Sequence, residues 1–210
     1  MKNKNHKIVL KRSSEILLEI VRNKNLKKGL TYRYILQILG DRAFGVAILF
    51  FALPSLLPCS AIPGVAIVFG LPIVIFTLGM VLGRKSLWLP KSIGNKKISH
   101  SKISEIISAV LPYILRLERF SKPRWVFMTY RIIEVINGLT ILCLAFLLML
   151  PIPFSNFIFG GLLVIFSIGT IEKDGLLIFM GYLFFIAYIF FIYLVALKAV
   201  EAFLFIKSSV

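Results

Sequence analysis

The chain has 210 residues, 59% apolar and only 16% charged, and the apolar residues come in blocks bounded by Pro, Gly and charge. No soluble core absorbs such blocks, which excludes an ordinary soluble domain. The formal net charge of +16 would point to nucleic acid if it were spread evenly, but eleven basic residues lie in 1–42 and eleven in 84–131, with the remainder almost uncharged. That distribution belongs to loops held beside anionic headgroups on the cytoplasmic side of a membrane, and nucleic acid is not expected as a partner.

Residues 1–42 are expected to be a basic cytoplasmic segment with two short amphipathic helices. Ile16, Leu17, Ile20 and Val21 follow helical spacing between Glu15, Glu19 and Arg22, and Tyr32, Ile35, Leu36 and Leu39 share a face after Gly29. Both helices can lie along the membrane surface with Lys and Arg towards lipid phosphates. The first long apolar block begins only at Ala43, and no small-residue cleavage pattern closes it, so no removable signal peptide is expected.

Residues 43–83 form the first membrane segment. Ala43 to Leu57 is roughly 22 Å long as helix, too short to cross a core of about 30 Å unaided, and it runs into Pro54, Pro58 and Pro63. Gly64 to Leu82 follows, with Pro72 inside it, and ends at Gly83-Arg84-Lys85 near the interfacial Trp88. Residues 84–131 are a basic surface connector in which Ile103, Ile106, Ile107, Val110 and Leu111 predict an amphipathic helix before Pro112. The second membrane segment, 132–171, has Glu134 and Asn137 near its start and is broken at Pro151-Ile152-Pro153. After Glu172-Lys173-Asp174-Gly175, 172–210 holds a final span, since Leu176 to Leu197 runs 22 residues, roughly 33 Å, without a charge. Tyr182, Tyr188 and Tyr193 in it are suited to an interface or a neighbouring helix.

A shift of 90 residues lays Ile62-Pro63 on Ile152-Pro153, Phe69-Gly70 on Phe159-Gly160 and Val74 to Gly79 on Val164 to Gly169, with eight of 18 positions identical over Ile62 to Gly79. The predicted fold is therefore an all-α integral membrane protein, a multi-pass helical bundle with two internal repeats that contain Pro-broken or re-entrant segments. Backbone groups freed at such breaks must be buried in protein or line a wet cavity, which is how paired breaks come to mark transporter sites. Alternatively the prolines end helices for packing alone.

The chemistry of an enzyme is absent from the motifs. There is no DxD, no GxxxxGK[ST] and no nucleophile with a base and orienter, and His6 and His100 lie in the basic flanks, far in sequence from Cys59 and Cys143. Neither metal nor cofactor is expected, and the two cysteines read as small buried hydrophobes. The candidate solute-binding residues are Glu134, Asn137, Asn156, Asp41 and Arg42, because a charge or amide at membrane depth has to be paired or hydrated. Each also has a plainer reading: Asp41 and Arg42 as an interfacial pair, Glu134 as a partner of Arg131, Asn156 and Ser155 as caps, Glu172 and Asp174 as turn residues. The candidate helix-break residues are Pro54, Pro58, Pro63, Pro151 and Pro153.

Gly40-Asp41-Arg42-Ala43-Phe44-Gly45, Ala52-Leu53-Pro54 with Pro58 and Pro63-Gly64, Gly70-Leu71-Pro72, Gly83-Arg84 with Trp88-Leu89-Pro90, Pro151-Ile152-Pro153-Phe154 with Asn156, and Asp174-Gly175 together resemble the ExoD family of exopolysaccharide-synthesis membrane proteins. The resemblance covers nearly the whole chain and is carried by the order and spacing of these motifs. It departs near Gly79, where a polar Gln is common in the family. The resemblance implies a bacterial inner-membrane protein that supports exopolysaccharide production, and the basic first stretch predicts a cytoplasmic amino terminus. Two readings follow. One is transport of a small, cationic solute, or handling of a lipid-linked species, at the repeat interface; the other is a non-transporting scaffold for polysaccharide-assembly proteins, as a monomer or a homo-oligomer.

Overall fold

The computed structural model describes residues 12–22, 31–57, 64–84, 86–88, 94–121, 123–150 and 155–208. Its described α-helices, in chain order, are α1 (Ser13–Arg22), α2 (Tyr32–Leu39), α3 (Arg42–Ala52), α4 (Val65–Val81), α5 (His100–Phe120), α6 (Arg131–Met149), α7 (Ser155–Glu172) and α8 (Gly175–Ser208). Short 3-10 turns extend α3 over Leu53–Leu56 and precede α6 over Val126–Thr129. Three segments are long and apolar enough to cross a membrane: Arg131–Met149, Ser155–Glu172 and Gly175–Lys198. The first hairpin is shorter. Arg42–Leu56 reaches about 22 Å and α4 about 25 Å, less than a bilayer core of about 30 Å.

The short helices at the basic end begin and stop where their sequence dictates. Thr31 and Ser99 cap α2 and α5 by accepting hydrogen bonds from the Tyr34 and Lys102 amides at 3.3 Å. Gly40, at φ 56°, lets the chain turn through 107° between α2 and α3. The apolar stripes expected to lie on lipid face protein instead: Leu17 of α1 meets Ile103, Ile107 and Ile114 of α5, with Ile35 and Ile38 of α2 alongside. Nor does α5 end at Pro112. The helix continues to Phe120 with Pro112 on its exposed side, so the carbonyl left without an N–H partner is free to meet solvent.

In the bundle α3 packs on α4 and α7, while α6 packs on α4 and α7. Phe44, Ile48, Ile73, Ile141, Leu144, Leu148, Phe159, Leu163 and Phe166 form one continuous buried core between them. Helix α8 packs mainly on α7 and also on the 3-10 turn before α6, and edge-on contacts of Phe166 with Tyr182 and Phe159 with Tyr188 place those two tyrosines against a neighbouring helix. Cys143 is exposed on an apolar helix rather than buried, and Cys59 lies outside the described residues.

Small residues set how closely the helices approach. A Cβ on Gly45 would stand 2.8 Å from Ile171 Cγ1, one on Gly70 2.7 Å from Met149 Cγ, and one on Gly160 3.0 Å from Ser55 Cβ. Such contacts leave no room for a side chain, the packing that joins helices where no hydrophobic gain drives them together in lipid. The ends of α4 and α7 are closed alike. The Arg84 amide donates to Gly79 O at 3.0 Å with Gly83 at φ 64°, and the Asp174 amide donates to Gly169 O at 2.9 Å with Lys173 at φ 53°.

Candidate functional site

Two polar groups sit at the end of the bundle where α3 and α6 begin and α4 and α7 stop. The first is built from Asp41, Glu134, Asn137 and Lys173. The left-handed turn at Lys173 swings its side chain back to Asp41, with 3.5 Å between Nζ and Oδ2. Glu134, on the first turn of α6, lies within hydrogen-bonding and electrostatic reach of Asp41 and within electrostatic reach of Lys173 and Arg131. Asn137, one helical turn on, is 2% exposed, donates to Met128 O at 3.2 Å and accepts from Tyr182 Oη at 2.6 Å. Thr129, Glu134, Asn137, Thr170, Lys173 and Ile178 enclose a cavity of about 10 Å³, the room of a single water-sized species.

The second group clasps the basic helices to the bundle. Arg42 is 5% exposed, and its Nη1 donates to Ser13 Oγ at 2.9 Å; Ser13 Oγ donates to Ile171 O at 3.1 Å. Glu118 of α5, also 5% exposed, accepts from the Ser14 amide at 2.8 Å and from Ser14 Oγ at 2.9 Å. Glu172, 4% exposed, lies within electrostatic reach of both Arg42 and Glu118. A buried cation beside two carboxylates holds four elements together, because separating any charge from the others leaves it unpaired in an apolar setting.

The predicted residues therefore divide. Asp41, Glu134 and Asn137 come together. Asp41 meets Lys173, while the neighbouring Arg42 belongs to the clasp through Ser13. Asn156 is half-buried on the first turn of α7, at the far end of the bundle, about 22 Å from Glu134 by the length of α6. Pro54 sits in the 3-10 turn that ends α3, while Pro58, Pro63, Pro151 and Pro153 lie outside the described residues. Asp174 is a cap: its Oδ1 accepts from the Leu176 amide at 3.0 Å and the Leu177 amide at 3.4 Å, and its Oδ2 accepts from Ser121 Oγ at 3.1 Å. Glu118, Glu172 and Lys173 gave no sequence signal, since each stands among residues that read as connector or turn. Among the described residues no three His, Cys, Asp or Glu side chains are grouped to hold a metal ion.

The family model described as "Exopolysaccharide synthesis, ExoD" matches residues 13–194, which includes every helix that builds these two groups. The chain belongs to the ExoD family. It is 34% identical over 157 residues to the ExoD protein of Rhizobium meliloti, covering 73% of this chain and 65% of that one. It is also 35% identical over 144 residues to an uncharacterized protein of Synechocystis sp., covering 68% of each. The chain thus spans about two thirds of the length of both relatives. No solved structure matches it.

Proposed function

We propose that this ExoD-family chain is a multi-pass protein of the bacterial inner membrane that supports exopolysaccharide production by admitting a small cation at the cavity lined by Glu134. The observation that carries the reading is a cavity of water size lined by Glu134 and Lys173, each of which also reaches Asp41 from the other half of the chain. Glu134 and Asp41 draw a cation, Lys173 and Arg131 balance their charge in its absence, and a carboxylate at membrane depth must be paired or hydrated. The size restricts the solute: a monovalent ion fits and a sugar or lipid headgroup does not. The apolar core from Phe44 to Phe166 closes the route beyond it, so passage requires the halves to move apart.

The two halves are read as parallel repeats about an axis along the membrane normal. Support comes from positions 90 apart: the like ends of α4 and α7, Thr77 and Ser167 donating to the carbonyls four residues back at 2.5 and 2.6 Å, and Gly70 and Gly160 each pressed against the other half. Both basic stretches then share one side, which the distribution of Lys and Arg makes cytoplasmic. A cysteine at Lys97 should resist a membrane-impermeant reagent in intact cells, and labelling there would overturn this topology.

For the cation reading, Glu134→Gln should leave purification and membrane insertion unchanged but abolish sodium or proton flux in reconstituted vesicles. Equal flux in wild type and variant would defeat it. The scaffold reading draws on a separate observation, the exposed Lys96, Lys97 and Lys102 beside the α1–α5 pair. On that reading neutralising the three lysines, and not Glu134→Gln, abolishes exopolysaccharide production.

A further inference from the structure

A cavity of about 260 Å³ lies not between the halves but on the outer face of α4, lined by Ile75, Leu78, Gly79, Leu82, Arg84 and Trp88. We infer that it is a binding site for one anionic phospholipid, with an acyl chain along α4 and the phosphate at Arg84. The groove gains no side chain on its floor from Gly79, where a Cβ would meet the Phe44 ring at 3.3 Å. Its walls at Ile75, Leu78 and Leu82 are exposed and apolar, and follow α4 for about 10 Å towards the middle of the bilayer. Arg84 and Trp88 stand at the end where α4 stops, the level at which aromatic rings and headgroups meet. Among the described residues the Arg84 guanidinium has no hydrogen-bond or ion-pair partner, while its stem lies over the groove floor, a Cβ on Gly79 coming 3.9 Å from Arg84 Cδ.

The matching face of α7 shows what such a seat holds when it is filled. Gly169 there is pressed against α8, a Cβ on it coming 2.7 Å from Ile178 Cγ1. Asp174 stands where α4 has Arg84, 90 residues apart, and caps the amide end of α8. A carboxylate complements the positive end of a helix, and a guanidinium at the same place opposes it. The face on α4 is therefore unsuited to a helix running as α8 does, whether from a second copy or another protein, and suited to an anion with an apolar tail. A basic residue at the headgroup level beside an apolar groove recognises a lipid phosphate by direct charge pairing. The repeat correspondence sharpens this comparison, but the groove and its arginine stand without it, and without the cation site.

The test uses the full chain in neutral detergent, with bound phosphatidylglycerol and phosphatidylcholine counted by native mass spectrometry. Wild type should prefer phosphatidylglycerol, and Arg84→Gln should lower its apparent affinity about fivefold, the effect of one arginine at a membrane surface. Arg84→Lys should keep most of the preference, and Ile75→Trp, which fills the groove, should reduce binding of both lipids. Arg116→Gln makes the same charge change on the exposed face of α5 and should alter nothing. An equal loss in Arg84→Gln and Arg116→Gln would assign the effect to overall charge and overturn the site. So would unchanged lipid counts in Arg84→Gln and Ile75→Trp, including the case where either variant instead turns a dimer into a monomer, which would make a second copy the occupant.

Discussion

The two ends of this bundle share close glycine packing, Gly45 on Ile171 at one and Gly160 on Ser55 at the other, but among the described residues the buried charges gather at one end. At the basic end, Arg42, Glu118 and Glu172 are buried together, and Asp41, Glu134 and Lys173 meet beside them. At the far end, the contacts are glycines against side chains, Gly70 on Met149 and Gly160 on Ser55. Buried charges hold only while they stay paired, whereas close packing needs no partner of opposite charge. The difference also says where the molecule can change state. A charged cluster has alternative pairings a short distance apart, whereas a glycine contact has only together and apart.

Breaking the charged end should have the largest effect. Arg42→Met removes the buried cation of the clasp and leaves Glu118 and Glu172 facing one another. It should lower stability by about 3–5 kcal/mol, read as a fall in Tm in detergent, and should release α1 and α5 to proteolysis. The far end should respond less. Gly160→Leu should cost about 1–3 kcal/mol by overpacking against Ser55 and Leu56, with Gly160→Ala milder, and Gly70→Leu should behave alike if the two halves correspond. Unequal effects at Gly70 and Gly160 would break the correspondence while leaving the contrast between the ends intact. Between the ends, Asn137→Leu loses hydrogen bonds to Met128 and Tyr182 and should cost about 0.6–1.7 kcal/mol, the range for interhelical polar contacts in membranes. The smallest change is expected at Lys198, whose pairing with Glu201 at 2.7 Å is fully in solvent's reach; Lys198→Ala should leave Tm unmoved, and a measurable fall would mean that this pair is not merely an exposed one.

The sequence disclosed the membrane helices because hydropathy over a long run is a local property. The helices around Leu17, Tyr32 and Ile103 were legible for the same reason, since 3.6-residue spacing needs no knowledge of the partner. What that spacing did not say is what the apolar stripes face, and α1 and α5 face each other. Glu134 and Asn137 stood out because a charge and an amide interrupt an apolar block, and both do line the same cavity. Asn156 had an equal claim by that rule but lies at the other end of α6, for nothing local in a sequence records which end of a hairpin a residue occupies. Glu118 was hidden by its basic surroundings, and Lys173 by a turn whose left-handed backbone, not its composition, aims it at Asp41.

The lengths of the helices give the molecule an uneven hydrophobic height. The apolar stretch of α8, Gly175–Lys198, is 24 residues or about 36 Å, while α4 offers about 25 Å. A bilayer meeting both must thin along one flank and thicken, or force a tilt, along the other, at fractions of a kcal/mol for each ångström of mismatch. The chain acts as a wedge in the plane of the membrane. Its α4 flank is most at ease where the bilayer is already thin or strained, and lipids gathered on that side are selected by height as well as by charge.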